Sequence, residues 1–206
     1  YVPTSGDINL EIAGKMKRIN GEKPYKITAN GMARTFQNIR LFGNLSVLDN
    51  VLISMHAHSV AGVLTSIFRL PKFHRIEKEL TDEAIRLLDI FDLGSKKDEI
   101  SSSLPYGDQR CLEIVRALAT KPKILFLDEP AAGMNPQETE NLTKQIRQIQ
   151  KDFNITVLLI EHDMSLVMGI CDRIYVLEYG RLIAQGTPEE IKNDERVIRA
   201  YLGEEM

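Results

Sequence analysis

The chain has 206 residues, 43% hydrophobic, 27% charged and 6% aromatic, with a formal net charge of -3. That length supplies one good core, or one core with a subdomain. The slightly acidic balance excludes nucleic-acid binding through a bulk basic field. The longest strong apolar run, Ile155 to Ile160, falls far short of the roughly 18 residues of a membrane span.

Pro3 to Asp7 is a turn sequence, and Ile8-Asn-Leu-Glu-Ile12 alternates like a short strand. The opening residues have neither the basic start nor the apolar stretch of a signal peptide, and the chain reads as beginning in mid-domain. Gly31 to Phe42 is loop-like, and Val47 to about His58 is predicted helical. Gly62 to Phe73 is apolar and irregular and receives no assignment. Glu77 to Phe91 is an amphipathic helix with Leu80, Ala84, Leu87, Leu88 and Phe91 on one face. A second helix runs from Asp108 to Thr120, with Cys111, Leu112, Val115 and Leu118 inward. Cys111 and Cys171 are far apart within apolar patterns, as expected of buried, reduced thiols.

Ile124 to Leu127 is apolar throughout, the pattern of a parallel strand buried on both faces, and Ile155 to Ile160 repeats it. Glu138 to Lys151 between them is helical, with Leu142, Ile146 and Ile149 on one side. Ile174 to Leu177 and Leu182 to Ala184 flank Tyr179-Gly180, which predicts a hairpin. Thr187-Pro-Glu-Glu190 opens a last helix, with Thr at the cap, Pro first and Glu three after the cap. The second half therefore alternates strand and helix, the signature of an open α/β sheet. Residues 44–103 carry helices and no convincing strand, and read as a helical subdomain inserted between 1–43 and 104–206.

Chemistry concentrates at the ends of the two apolar strands. Ile124-Leu-Phe-Leu-Asp-Glu-Pro130 delivers adjacent carboxylates where parallel sheets bind ligands. Asp128 suits Mg²⁺, a hard ion that keeps several waters. Glu129 suits a general base that orients and deprotonates an attacking water. His162, in Leu158-Leu-Ile-Glu-His-Asp163, follows the next strand and is placed to reach a terminal phosphate beside Glu129. Leu104-Pro-Tyr-Gly-Asp-Gln109 precedes a helix, whose free N–H groups and dipole favour an anion. Alone, the acid pair also fits a solvated turn, the histidine a structural role, and the 104–109 segment an ordinary cap. His56, His58 and His74 have no metal-like spacing.

In this order, these segments resemble the nucleotide-binding subunit of an ATP-binding cassette (ABC) transporter over essentially the whole chain. Gln37, in Arg34-Thr-Phe-Gln-Asn-Ile-Arg-Leu-Phe42, matches the Q-loop. Leu104 to Asp108 occupies the signature motif and Ile124 to Glu129 the Walker B strand, while Ala131-Ala-Gly-Met-Asn135 is the D-loop and His162 the switch histidine. Gly31-Met-Ala-Arg-Thr-Phe-Gln37, Tyr106-Gly-Asp-Gln-Arg110, Pro130-Ala-Ala-Gly-Met-Asn-Pro136, Glu161-His-Asp-Met164 and Ala200-Tyr-Leu-Gly203 are closest to the ATPases of branched-chain amino acid importers.

The resemblance implies a P-loop NTPase-like ABC core, a mostly parallel sheet with an inserted helical subdomain. It implies ATP and Mg²⁺ as cofactors, Glu129 and His162 as catalytic residues, and Asp128 with Gln37 on the metal. Gln37, Leu104, Tyr106, Gly107, Asp108 and Asn135 are the implied nucleotide contacts. The implied partners are a second ATPase subunit, identical or paralogous, transmembrane permease subunits and, indirectly, a substrate-binding protein; nucleic acid is not among them. The expected location is cytoplasmic, on the inner face of the membrane through the permease. Urea-type or lipid transport, a soluble cassette, and a non-catalytic module offering its signature face to a competent partner are the alternatives. Pro105 stands where the family has a serine, Tyr106 where glycine is common, and Asn135 where Asp is common.

One part is missing. The only Gly-Lys pair, Gly14-Lys15, fails G-x-x-x-x-G-K-[ST] twice, with Asn9 in place of the first glycine and Met16 in place of Ser or Thr. The family places that phosphate loop, with its strand and helix, ahead of Pro3. The sequence thus predicts an N-terminally truncated cassette, lacking its first strand–loop–helix unit, that neither binds ATP tightly nor hydrolyses it and that folds poorly.

Overall fold

The structure, a computed structural model, describes residues 3–12, 14–56 and 71–202. Its centre is a three-stranded parallel sheet in the order β3 (Met32–Arg34), β4 (Ile124–Asp128), β5 (Thr156–Ile160). Arg34 is in register with Phe126, and Phe126 with Leu158, so one row of side chains crosses the sheet. Two antiparallel hairpins lie outside it, β1 (Asn9–Ile12) with β2 (Lys15–Arg18), and β6 (Ile174–Glu178) with β7 (Arg181–Gly186).

α1 (Pro24–Ala29) leads into β3, followed by α2 (Val47–His56) and α3 (Pro71–Ile90). α4 (Tyr106–Leu118) precedes β4, and α5 (Pro136–Phe153) connects β4 to β5. α6 (Met164–Ile170) follows β5, and α7 (Pro188–Lys192) and α8 (Glu195–Val197) follow the second hairpin. The crossovers obey local signals. Asn135 and Glu138 form a reciprocal capping box at the start of α5, and left-handed Asn154 (φ 50°) ends it. Thr187 and Glu190 close the same box on α7, as its sequence predicts.

One hydrophobic cluster joins Leu125 and Leu127 of β4 to Leu112 and Val115 of α4, Leu142 and Ile146 of α5, and Leu87 and Leu88 of α3. Among the described residues of 44–103 there is no strand: helices and short helical turns are joined by loops, with a single bridge between Ser46 and Ile100. Residues 57–58 of the expected first helix and 62–70 of the unassigned stretch lie outside the described residues.

Three expectations need correction. Gly31 to Phe42 is not all loop: Met32–Arg34 is a strand, too short to show a period and held by long-range pairing to β4. The β4 and β5 strands are not buried on both faces. Leu125 and Leu127 are fully buried, but Leu158 is 45% and Ile160 51% exposed, because no described element covers their side of the sheet. Cys111 and Cys171 are unpaired as expected, yet only partly buried. Burial pushes the Cys111 thiol up to about 12, so it stays protonated at neutral pH.

Candidate functional site

β4 carries Asp128 to its carboxyl end, where the chain turns sharply. Glu129 follows with φ 46°, left-handed backbone that a residue with a Cβ adopts at a cost. Its N–H donates to the Ile160 carbonyl at 2.9 Å, pinning the turn to the end of β5. The Glu129 side chain, 28% exposed, is approached from two sides. Gln37 Nε2 donates to its Oε2 at 3.0 Å, and His162 Nδ1 lies 3.7 Å from its Oε1. The imidazole itself is 72% exposed, so it faces outward as well as toward Glu129.

Asp128 is more enclosed, its side chain 17% exposed, and pairs with Arg34 Nη2 at 2.6 Å. Thr35 Oγ1 accepts the Asp128 N–H at 3.3 Å. Arg34 is absent from the sequence-predicted set. Its signal is geometric: on β3 it shares a sheet face with Asp128, two residues beyond its register partner Phe126. Glu161 is the second addition. Its side chain is 1% exposed and accepts N–H bonds from Ala131 and His162, both at 3.0 Å, and from Asp163 at 3.4 Å. One carboxylate thereby ties the segment after Glu129 to the loop bearing His162. Asp163 caps α6 through Ser165 and Leu166, and hydrogen bonding, first from the Ser165 hydroxyl, holds its carboxyl below the usual range.

Leu104, Tyr106, Gly107, Asp108 and Asn135 form a separate group where α4 and α5 begin. Leu104 is buried at 4% exposure, while Tyr106 is 48% exposed with its ring against Gly133. A Cβ on Gly107 would sit 3.3 Å from the Glu138 carboxylate, so the turn packs directly on the α5 cap. Asp108 pairs with Lys96 and raises the affinity of that ammonium for its proton. The Asn135 side chain accepts the Glu138 N–H at 3.0 Å and so is already engaged in the cap. Among the described residues no hydrogen bond or ion pair joins this group to Asp128, Glu129 or His162, so the sequence-predicted residues fall into two clusters.

The Gly14-Lys15 pair sits in the β1–β2 hairpin, with open space around Gly14 and Lys15 already in β2. It forms no phosphate cradle. Among the described residues no group of three or more His, Cys, Asp and Glu side chains is arranged to hold a metal ion. A carboxylate and an amide oxygen are hard donors, however, and suit an ion such as Mg²⁺ that takes most of its ligands from water and phosphate.

A half-buried acid pair ends a parallel strand, with an amide and an imidazole on the second acid, an arrangement compatible with nucleoside-triphosphate hydrolysis. Residues 1–132 match the ABC transporter family, and residues 181–206 match the family described as branched-chain amino acid ATP-binding cassette transporter. The chain is 46% identical over 204 residues to a high-affinity branched-chain amino acid transport ATP-binding protein, LivG, of Salmonella typhimurium, covering 99% of this chain and 78% of that one. Over the same spans it is 44% identical to the transport ATP-binding protein BraF of Pseudomonas aeruginosa. Among solved structures, the ADP conformation of an ATP-binding cassette of an ABC transporter aligns with a TM-score of 0.73 at 30% identity, over 91% of this chain and 74% of that one. A nucleotide-free cassette aligns at 0.72 and 30% identity, over 94% and 79%. The chain belongs to the ABC transporter ATP-binding family, and its fold is that of the ABC ATPase cassettes. No helix among the described residues is long and apolar enough to cross a membrane.

Proposed function

We propose that this chain is the ATP-hydrolysing side of a cassette that energises import of branched-chain amino acids. The observation that carries the reading is the hold on Glu129, with Gln37 at 3.0 Å and His162 at 3.7 Å on its two oxygens. In this reading Glu129 orients and deprotonates the attacking water, Gln37 fixes its rotamer, and His162 contacts the terminal phosphate. Asp128 and Gln37 would hold Mg²⁺, which when bound would neutralise charge developing on the phosphate oxygens. Arg34 serves Asp128 as counter-charge. Leu104, Tyr106, Gly107 and Asp108, with Asn135, address the nucleotide of a second cassette paired head-to-tail. ATP closes the pair because it binds the closed state better. The helices of 44–103 form a subdomain that passes the motion to a permease, which keeps the protein at the cytoplasmic face of the membrane. The amino acid substrate rests on the 46% relative and on the match at residues 181–206. A lipid substrate is the alternative, since a lipopolysaccharide export ATP-binding protein, LptB, of Haemophilus influenzae is 34% identical over 77% of this chain and 72% of its own.

In the complete transporter, Glu129→Gln keeps ATP binding and lowers turnover on the order of 10²–10⁴-fold, the range for loss of a general base. Normal turnover would remove Glu129 from that role.

The 206 residues by themselves are inactive in this proposal. They contain no G-x-x-x-x-G-K-[ST] loop, and hence no backbone nest and no lysine for the phosphates. Calorimetric titration of this chain with ATP is expected to give no saturable heat; a micromolar dissociation constant would overturn the claim.

A further inference from the structure

The helix that opens at the signature turn, α4, buries charge where a core helix has no need of it. Arg110 is 3% and Glu113 5% exposed, yet their closest approach is only 3.8 Å. Among the described residues, Arg110 Nε and Glu113 Oε2 have no hydrogen-bond partner. Such a pair is a poor stabiliser, because each ion loses its hydration and well-packed apolar side chains would do as well or better. What these side chains hold instead is the backbone of the Gln37 loop.

Arg110 Nη1 donates to the Phe36 carbonyl at 2.9 Å and Nη2 to the Gln37 carbonyl at 2.6 Å, so one guanidinium fork spans two consecutive peptides. Glu113 Oε1 accepts the Phe36 N–H at 3.2 Å. One turn further along α4, Arg116 donates to the Arg40 carbonyl and lies over the Phe42 ring at 4.9 Å. Residues 36–40 are therefore clamped to α4 by polar groups aimed at main-chain atoms, which fix position independently of the loop's own side chains. The side chain this clamp presents is Gln37, and its amide meets Glu129.

We infer that Arg110 and Glu113 are positioning residues for hydrolysis. They lock the Gln37 loop to the signature helix, so that the orientation of α4 sets the contact between the Gln37 amide and Glu129. The inference rests on the reading of Gln37 and Glu129 given above. It adds a mechanical link: a shift of the helix start, where Leu104 to Asp108 lie, reaches the hydrolytic acid through two buried side chains.

A double-mutant cycle tests the link in the complete ATPase assembled with its permease. Lysine keeps the charge but cannot fork across two carbonyls. Arg110→Lys is expected to lower kcat on the order of tenfold with KM for ATP within about twofold, and to cost nothing more once Gln37 is alanine. Amide hydrogen exchange supplies a readout independent of turnover, with the Phe36 amide exchanging faster in Arg110→Lys and β4 unchanged. Glu113→Gln is the second variant should Arg110→Lys not fold, with the same pattern expected in weaker form. Equal cost of Arg110→Lys with and without Gln37 shows that Arg110 acts elsewhere and overturns the inference alone. If Gln37→Ala leaves turnover intact, the reading of Gln37 and Glu129 fails first and takes the inference with it.

Discussion

The two faces of the three-stranded sheet are made of similar residues and meet opposite fates. On one, Leu125 and Leu127 are fully buried among Leu112, Leu142 and Ile146. On the other, Phe126 lies between Arg34 and the exposed Leu158, with exposed Ile160 two residues on, beside a hollow of about 350 Å³ that reaches Asp128. Alternate side chains of a single strand, β4, thus belong to a finished core and to an open surface. The lesson is that the packed face stabilises the described fold, while the open face leaves apolar side chains exposed beside Asp128.

The comparison breaks most sharply by truncating one residue on each face. Leu127→Ala is expected to cost about 3 kcal/mol in urea unfolding, the loss for a leucine whose cavity cannot fully collapse. Ile160→Ala should cost less than about 1 kcal/mol, because half of that side chain already meets water. Equal costs would mean that the open face is covered in solution.

A smaller, pH-dependent effect comes from Glu113, in the helix that covers the packed face. Desolvation raises its carboxyl above the usual range, while backbone N–H groups of Phe36 and Arg40 and the charges of Arg110 and Arg116 oppose the shift. A carboxyl raised in the folded state binds protons more tightly folded than unfolded. Its contribution therefore favours folding at low pH and is lost as pH rises from the ordinary carboxylate value through the raised one. Glu113→Gln should flatten the unfolding free energy in that window; an unchanged slope would show that Glu113 does not titrate there. The smallest effect belongs to Leu158→Ser and Ile160→Ser together, which should move stability by about 0.5 kcal/mol or less per site while reducing binding of an apolar fluorescent dye.

The sequence shows most of this plainly where the signal is local. The box at Thr187, the amphipathic faces of α3 and α5, and the Ile124 to Glu129 run depend on neighbours within a few residues. Gln37, Glu129 and His162 are also legible, since their order along the chain matches a known family, and the structure brings all three together. What escapes the sequence depends on residues far apart in the chain. Met32–Arg34 becomes a strand only by pairing with β4, and Arg34 finds Asp128 94 residues away. Glu161 and the Arg110–Glu113 clamp spend their charge on distant backbone, which no side-chain pattern encodes. The apolar runs at Ile124 and Ile155 read as buried on both faces, yet among the described residues Leu158 and Ile160 stay exposed.

The left-handed turn at Glu129 carries a consequence for mutational scanning. At φ 46°, most side chains pay roughly 1–2 kcal/mol in backbone energy and glycine pays almost none. Every substitution at position 129 therefore reports dihedral cost and chemistry together. Glu129→Gln leaves the dihedral cost in place and changes chemistry alone, whereas Glu129→Gly relieves it and deletes the acid. A thermal melt in which Glu129→Gly outlasts the parent chain would locate a trade between durability and turnover on a single bond rotation.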